Sequence, residues 1–290
     1  MNRDKGSGSE WREAGEEGTD GAALPVAQST PARGANAPEN RAEQQAGQVL
    51  DGFDLIDRNL VPLTSPHSAA AEQYRMLFHR LRHSAGEIAP RVLTVTSAMG
   101  GEGKSLTAAN LALIAASERG STERILLIDA DLRRPSLHAL FGVPLSPGLA
   151  EVASGHCALE QALRPLGIAG LSLLSAGGGG EERGGTGRRA RSRGARSARA
   201  AMSSTPHAAL GNVLARLRAA FDAIYLDVPP LLASADGAFW ASESDGTLLV
   251  VRAGETSRQM VAQALEALGE ARLLGCVLNA VEARRSCHRA

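Results

Sequence analysis

The sequence predicts an α/β fold in which a doubly wound parallel sheet carries helices on both faces. Short apolar runs typical of buried strands alternate with longer helical patterns along much of the chain. Aromatic residues make up only 3% of the 290 residues, and Ala, Leu and Val carry the apolar content, which suits buried parallel strands under Ala-rich helices. A glycine-rich turn joins the first strand directly to a helix. These features favour right-handed crossovers between parallel strands.

The predicted strands are short and apolar, and they cover residues 92–96, 125–128, 171–174, 223–226, 247–251 and 274–278. Helical patterns lie between them, notably at 105–117 and 212–220. Another helix follows Thr256, which stands at capping-box spacing from Gln259. Each predicted strand is therefore followed by a segment that can return the chain to the same edge of the sheet.

Composition divides the chain into a tail and one domain. Residues 1–58 are rich in Gly, Ala, Glu, Gln and Pro and are predicted to be a disordered tail, because they contain too little apolar surface to offset the entropy of ordering. Residues 59–290 form the domain, which begins with a helix over 65–83, with Ser65 as N-cap and Pro66 at the first helical position. The Gly/Arg-rich stretch 177–200 is predicted to be a flexible insertion. Its arginines fit a solvated linker better than a site for an acidic partner or nucleic acid.

Charge and cysteine content exclude several functional classes. The chain has 31 acidic and 31 basic residues, so we expect no nucleic acid or anionic membrane as the main partner. The three cysteines, Cys157, Cys276 and Cys287, include no CxxC pair and are predicted to be reduced. No apolar run reaches the length of a membrane-spanning helix, and the N-terminus lacks the apolar core of a signal peptide. We therefore expect a cytoplasmic protein.

The segment 98–105, with the sequence AMGGEGKS, satisfies the P-loop pattern. It follows a predicted strand and opens a predicted helix, so its backbone N–H groups converge on a phosphate. Lys104 and Lys5 are the only lysines in the chain, and a lysine offers the compact point charge that a phosphate cradle needs. We expect Lys104 to reach the β- and γ-phosphates of ATP and the Ser105 hydroxyl to bind Mg²⁺. The residues expected to bind the nucleotide are Gly100, Gly101, Glu102, Gly103, Lys104, Ser105 and Leu106.

Carboxylates end two of the apolar strands. Asp129 and Asp131 follow one strand and Asp227 ends another, and ligands of open α/β sheets bind beyond the carboxyl ends of the strands. One of the first two is expected to polarise an attacking hydroxyl, preferably Asp129, while the other organises Mg²⁺ or Arg133. Taken alone, this pair fits a capping or turn role equally well. Asp227 is expected to hold Mg²⁺ through a water.

Together, the P-loop, the Asp129/Asp131/Arg133 motif and Asp227-Val-Pro-Pro resemble the bacterial tyrosine kinases of capsule and exopolysaccharide synthesis. The resemblance covers residues 60–280 apart from the insertion, and includes the stretch AEQYR at 71–75, which is similar to that family's oligomerisation helix. It implies a P-loop NTPase with a deviant Walker A motif, of the MinD/ParA-like superfamily. The catalytic residues that it implies are Lys104, Asp129, Asp131 and Arg133. The implied metal ligands are Ser105, Asp129 and Asp227, and Asn279 is expected to contact the adenine.

The implied activity is ATP-dependent phosphorylation of protein tyrosine, with Mg²⁺. The first implied partner is a membrane chain-length regulator, or polysaccharide co-polymerase, that activates the kinase at the inner face of the membrane. The other implied partners are a protein substrate that carries a tyrosine and further copies of the chain. The sequence departs from the family in four places. No tyrosine follows Tyr225, so the family's usual C-terminal cluster of acceptor tyrosines is absent. Phe78 stands where the oligomerisation motif is expected to have an arginine. Val228 replaces the hydroxyl residue expected after Asp227, and Gly100 replaces the proline expected in the P-loop.

Two other functions remain open at this stage. A nucleotide-binding regulatory scaffold of the polysaccharide machinery, without kinase activity, would explain the missing tyrosine cluster. A ParA/MinD-type partitioning ATPase would need a lysine at the position of Met99, where a thioether supplies no cation. Of the two tyrosines, Tyr225 is expected to be packed in the core, and Tyr74 on the N-terminal helix is also expected to pack.

Overall fold

A computed structural model describes residues 56–84, 90–120, 122–168, 170–178 and 207–281. The predicted disordered tail at 1–58 and the predicted insertion at 177–200 lie almost wholly outside these ranges. Both remain predictions.

The described residues form one sheet of seven strands in the order β3-β4-β2-β5-β1-β6-β7. All neighbouring strands are parallel except β3 and β4, which are antiparallel. The strands are β1 (Val92–Ser97), β2 (Ile125–Asp129), β3 (Leu163–Pro165), β4 (Leu171–Leu174), β5 (Ala223–Asp227), β6 (Gly246–Arg252) and β7 (Leu273–Asn279). The predicted strands are confirmed to within one residue at each end, whereas β3 was missed because three residues carry no readable periodicity.

Helices cover both faces of the sheet. They are α1 (Val61–Thr64), α2 (Ala69–Ser84), α3 (Lys104–Arg119), α4 (Leu137–Leu140), α5 (Leu149–Ala153), α6 (Leu159–Ala162), α7 (His207–Ala220), α8 (Ala235–Ser242) and α9 (Arg258–Leu268). Leu127 of β2 packs in the cluster that contains α3, and its neighbour Leu126 packs in the cluster that contains α7. This alternation along a strand buried on both sides confirms the doubly wound α/β fold.

The helix predicted over 212–220 begins earlier, at His207, and two predicted helix caps are wrong. Helix α2 begins at Ala69 rather than at 65, because the Ser68 hydroxyl accepts a hydrogen bond from the Ala71 N–H at 3.2 Å and takes the capping role that was assigned to Ser65. Helix α9 is capped by Ser257, whose hydroxyl accepts from the Met260 N–H at 3.2 Å. Thr256 is not the cap, because its hydroxyl is engaged in a contact with the P-loop.

The helix α2 contains the stretch that resembles an oligomerisation helix. Glu72 and Arg75 pair with each other at 2.8 Å on the helix surface. Phe78 is only 2% exposed and joins the core, with the guanidinium carbons of Arg82 and Arg119 at 5.7 and 6.0 Å from the centre of its ring. The residue that replaces an arginine is therefore a core side chain in this protein. None of the helices in the described ranges is long and apolar enough to cross a bilayer.

Candidate active site

Three strands deliver the predicted site residues to one edge of the sheet. Strand β1 runs into the P-loop, β2 ends at Asp129 and β5 ends at Asp227. Asp129 and Asp227 are register partners on neighbouring parallel strands, and Asp227 is also paired with Val95 of β1. The parallel register therefore brings together residues that lie about a hundred positions apart in the sequence.

Glycines give the P-loop its shape. Gly101 and Gly103 have φ values of 90° and 93°, in the left-handed region that side chains disfavour. Gly103 is the N-cap of α3 and places Lys104 at the first helical position. A Cβ atom at Gly103 would lie 2.1 Å from the Asn279 Nδ2 atom, so glycine is also required there by close approach. The amides at the start of α3 are thus left to face an anion.

The Lys104 ammonium lies between two carboxylates. Its Nζ atom is 2.9 Å from Asp131 Oδ2 and 3.0 Å from Asp227 Oδ1, and the residue is 7% exposed. Burial alone would lower the pKa of Lys104, but the Asp227 and Asp131 carboxylates outweigh this and raise it above its ordinary value. The site therefore holds a permanent positive charge at the mouth of β1.

Asp129 and Asp227 are fully buried, and each has one oxygen with no hydrogen-bond partner among the described residues. Asp129 Oδ2 accepts from the N–H groups of Ser136 and Leu137 at 2.9 and 3.0 Å, at the start of α4, which leaves Oδ1 unpartnered. Burial and the charge of Asp227 raise the pKa of Asp129 to about 8. Burial also raises the pKa of Asp227, although Lys104 opposes the shift. Two unsatisfied carboxylate oxygens side by side favour a bound cation.

This arrangement fits Mg²⁺. Asp129 and Asp227 each leave one oxygen unpartnered, and the Ser105 hydroxyl lies 3.4 Å from the same Lys104 Nζ atom that contacts Asp227. Within the described ranges, no group of three or more His, Cys, Asp or Glu residues could by itself hold a metal. Mg²⁺ commonly takes only one or two protein carboxylates and fills its shell with water and substrate phosphates. The donor set therefore suits an ion that arrives with a nucleotide.

The Glu102 side chain holds the P-loop from inside. It is 3% exposed, and its Oε2 atom accepts from the Met99 N–H at 2.8 Å. Its Oε1 atom accepts from the Thr256 hydroxyl in the loop between β6 and α9. The Glu102 side chain therefore braces the loop, and the part of this predicted nucleotide-binding residue that is left for a phosphate is its backbone.

Residues near the ends of β6 and β7 complete this brace. The Arg252 guanidinium donates to the Gly101 carbonyl at 3.1 Å, and the Asn279 amide donates to the Glu102 carbonyl at 2.9 Å. Asn279 was predicted to contact adenine, and the structure places its side chain against the P-loop backbone. Arg252 and Thr256 were missed, because neither belongs to a phosphate motif and only the fold brings them to the loop.

A cavity of about 350 Å³ opens at the P-loop. It is lined by residues of the P-loop, α3, the turn after β2, the N-terminal segment and the turn after β5, namely Gly100, Gly101, Gly103, Lys104, Ser105, Leu106, Asp131, Arg134, Ser136, Leu140, Asn59 and Pro230. Most of the predicted nucleotide-binding residues are therefore on its wall. Arg133 is not among them, and its guanidinium lies 3.6 Å from Asp236 at the start of α8. Its neighbour Arg134, which sequence reasoning did not single out, lines the cavity.

Comparison with known proteins agrees with this geometry. Residues 93–289 match the family described as the CobQ/CobB/MinD/ParA nucleotide binding domain. The chain is 31% identical over 231 residues to the tyrosine-protein kinase YwqD of Bacillus subtilis, a match that covers 77% of this chain and 86% of that protein. It is 30% identical over 229 residues to the succinoglycan biosynthesis transport protein ExoP of Rhizobium meliloti, covering 78% of this chain but only 27% of ExoP.

Solved structures give the same result. The kinase domain of the Escherichia coli tyrosine kinase ETK superposes with a TM-score of 0.63 at 25% identity, covering 80% of this chain and 83% of that domain. The BceF tyrosine kinase domain gives a TM-score of 0.59 at 26% identity, covering 82% and 88%. The similarity therefore extends over the whole sheet and its helices.

Proposed function

Because the chain belongs to the CobQ/CobB/MinD/ParA nucleotide-binding family and, within it, to the tyrosine kinases of exopolysaccharide and capsule synthesis, we propose that it transfers the γ-phosphoryl group of ATP to tyrosine of a partner protein. One observation carries the proposal. The Lys104 ammonium lies between Asp131 and Asp227 at a braced P-loop, where a cation, amide donors and carboxylates converge. Phosphoryl transfer depends mainly on such positioning and charge stabilisation.

Each part of the site has a distinct role in this reaction. The P-loop amides and Lys104 bind the phosphates, and Lys104 exchanges its carboxylate partners for phosphate oxygens. Ser105, Asp129 and Asp227 would hold Mg²⁺, which supplies charge neutralisation on the phosphates. The two unpartnered carboxylate oxygens support this assignment.

The acceptor carboxylate is better assigned to Asp131 than to Asp129. Both carboxylates are buried, but Asp131 lines the cavity, whereas Asp129 does not and its Oδ2 atom accepts from the Ser136 and Leu137 N–H groups at the start of α4. When Lys104 turns to the phosphates, Asp131 Oδ2 is free to accept the phenolic proton. The phenolic oxygen then bonds to the γ-phosphorus, the bond from that phosphorus to the β–γ bridging oxygen breaks, and ADP leaves with the electron pair.

The acceptor is a tyrosine of another protein. The chain has only two tyrosines, and none follows Tyr225. Tyr225 is 6% exposed inside β5, and Tyr74 is partly buried against the core from α2. Tyr225 cannot enter an active site without local unfolding, and Tyr74 is partly held by its packing against the core, so neither is favoured as the acceptor.

We propose that the activating partner is a membrane chain-length regulator of a polysaccharide system, which recruits the protein to the inner face of the membrane. This rests on the relatives, one of which is named a succinoglycan biosynthesis transport protein and extends well beyond the matched region. Assembly with further copies of the chain also remains a proposal. The Glu72–Arg75 pair within one α2 helix neither requires nor prevents it.

The alternative is a nucleotide-binding scaffold without kinase activity, favoured by the missing C-terminal tyrosines. Incubation of the purified protein with Mg²⁺ and γ-labelled ATP, together with a tyrosine-rich polypeptide and a candidate regulator, separates the two. We expect labelled phosphotyrosine on the added polypeptide and none with Lys104→Met. Nucleotide binding without any transfer would support the scaffold, and absence of nucleotide binding would contradict both functions.

A further inference from the structure

An arginine whose guanidinium has no partner among the described residues lies at the mouth of the phosphate cavity. Arg134 follows β2 in the turn closed by its own N–H, which donates to Asp131 Oδ1 at 3.0 Å. Its exposed side chain lines the cavity, and within the described ranges no hydrogen bond or ion pair holds the guanidinium. In contrast, the neighbouring Arg133 is turned towards Asp236.

The P-loop has space for this arginine because of a glycine. A Cβ atom at Gly100 would lie 3.1 Å from Arg134 Nη1, closer than side chains normally pack. Gly100 does not have a positive φ, unlike Gly101 and Gly103, so its backbone does not need glycine. The absence of a side chain at Gly100 instead lets the guanidinium lie directly against the P-loop.

The charge balance of the site leaves room for a second cation. Lys104 is already matched by Asp131 and Asp227, and the Asp129 carboxyl lies beside them. A terminal phosphate brings about two further negative charges at neutral pH. Met99, which precedes Gly100 in the P-loop, is 41% exposed and carries no charge. Arg134 is thus the unpaired cation among the residues that line the cavity.

We propose that Arg134 binds the terminal phosphate of the nucleotide from within the same chain, and that Gly100 is the residue that admits it. This rests on the proposed nucleotide site and adds a residue to it. A planar guanidinium pairs with two phosphate oxygens at once, which a point charge cannot do. The contact exists with a triphosphate and is lost with a diphosphate, so Arg134 makes the site distinguish ATP from ADP.

Binding of a non-hydrolysable ATP analogue and of ADP to the full chain, each with Mg²⁺, tests the proposal by calorimetry. For Arg134→Gln we expect the Kd of the ATP analogue to rise by about tenfold, because a hydrogen bond to a charged group typically contributes that much. The Kd of ADP should change by less than about twofold. Arg134→Lys keeps the charge but loses the two-pronged geometry, so its effect should be intermediate.

Gly100→Ala tests the second half of the proposal, because it keeps the backbone N–H but displaces the guanidinium. We expect Gly100→Ala to weaken the binding of the ATP analogue more than the binding of ADP. Arg216→Gln is the matched control, because the Arg216 side chain is 59% exposed on α7 and its ion pair with Glu160 is long, at 3.7 Å. It should leave both affinities unchanged.

Three results would count against the proposed site. Equal losses for ATP analogue and ADP in Arg134→Gln would mean that the arginine only shapes the loop, and no loss would mean that it is solvated. Either result, with normal binding to the wild type, overturns the role of Arg134 and leaves the proposed function intact. Failure of the wild type to bind either nucleotide would overturn the proposed function itself, and the role of Arg134 with it.

Discussion

Lys104 Nζ and Asp227 Oδ1 lie 3.0 Å apart although 123 positions separate the two residues in the sequence. The contact joins the first turn of α3 to the end of β5, at the point where nucleotide phosphates would bind. We predict that Lys104→Met abolishes nucleotide binding and lowers the free energy of unfolding by about 3 kcal/mol, because it leaves the buried carboxylates of Asp131 and Asp227 without their cation. Calorimetry and urea unfolding measure the two effects.

The double variant Lys104→Met/Asp227→Asn separates stability from function. It removes one of the two carboxylates left without a cation, so it should recover part of the lost stability while remaining unable to bind nucleotide. A double variant that is as unstable as Lys104→Met would show that the pairing with Asp227 does not stabilise the fold. Nucleotide affinity retained in either variant would contradict the assigned site.

Thr256 and Ser257 are adjacent hydroxyl residues with different roles. Thr256 donates to Glu102 under the P-loop, whereas Ser257 caps α9. Thr256→Val should weaken nucleotide binding by roughly fivefold, since about 1 kcal/mol of hydrogen bonding holds the loop. Ser257→Ala should lower the free energy of unfolding by about 1 kcal/mol and leave nucleotide affinity unchanged. The reverse pattern, measured by calorimetry and urea unfolding, would contradict these roles.

The strands and the P-loop could be predicted from the sequence because each is a local signal. An apolar run that ends in Asp129 or Asp227 is readable by itself, and the parallel register then places the two carboxylates together. The short helices α4 to α6 could not be predicted, since four or five residues do not define a helical period. Ser68 replaced Ser65 as the cap of α2 because both lie near the apolar periodic segment, and the sequence does not decide between them.

The brace of the P-loop was not predictable for a different reason. Thr256, Arg252 and Asn279 contact the loop across 151 to 177 positions of sequence. Their contacts depend on the order of the strands, which places β6 next to β1 and β7 next to β6. The capping-box spacing of Thr256 favoured a role as the N-cap of α9, but its hydroxyl instead contacts Glu102 of the P-loop. Likewise, only the geometry distinguishes Arg134 from Arg133.

The resemblance to bacterial tyrosine kinases leads us to expect an arginine at the position of Phe78, and the burial of Phe78 predicts that an arginine there harms this protein. The ring is 2% exposed, and Arg82 and Arg119 already lie over it. Phe78→Arg should lower the free energy of unfolding by about 4 kcal/mol, because it removes a core ring and adds a third cation without a buried partner. Phe78→Leu, which keeps an apolar side chain, should cost about 1 kcal/mol. A Phe78→Arg protein that is as stable as the wild type in urea unfolding would contradict this prediction.

Tyr225 gives the protein a specific dependence on alkaline pH. Burial raises the pKa of its phenol to about 12, against an ordinary value near 10, although Arg119 and Arg82 oppose the shift. As the pH rises above 10, the unfolded chain loses this proton first, and the folded chain retains it until about pH 12. The unfolded state therefore binds fewer protons, and stability falls through this window by about 2 to 3 kcal/mol.

Tyr225→Phe removes the titrating phenol, so the free energy of unfolding of the variant should fall less than that of the wild type between pH 9 and 11 in urea unfolding. Lysine and arginine titrations are common to both proteins and cancel in the comparison. The difference in absorbance at 295 nm between the two folded proteins should show one phenolate that forms near pH 12. A midpoint near pH 10 would mean that the phenol reaches solvent. In that case Tyr225 would become a candidate phosphoryl acceptor, and the assignment of the acceptor to another protein would have to be withdrawn.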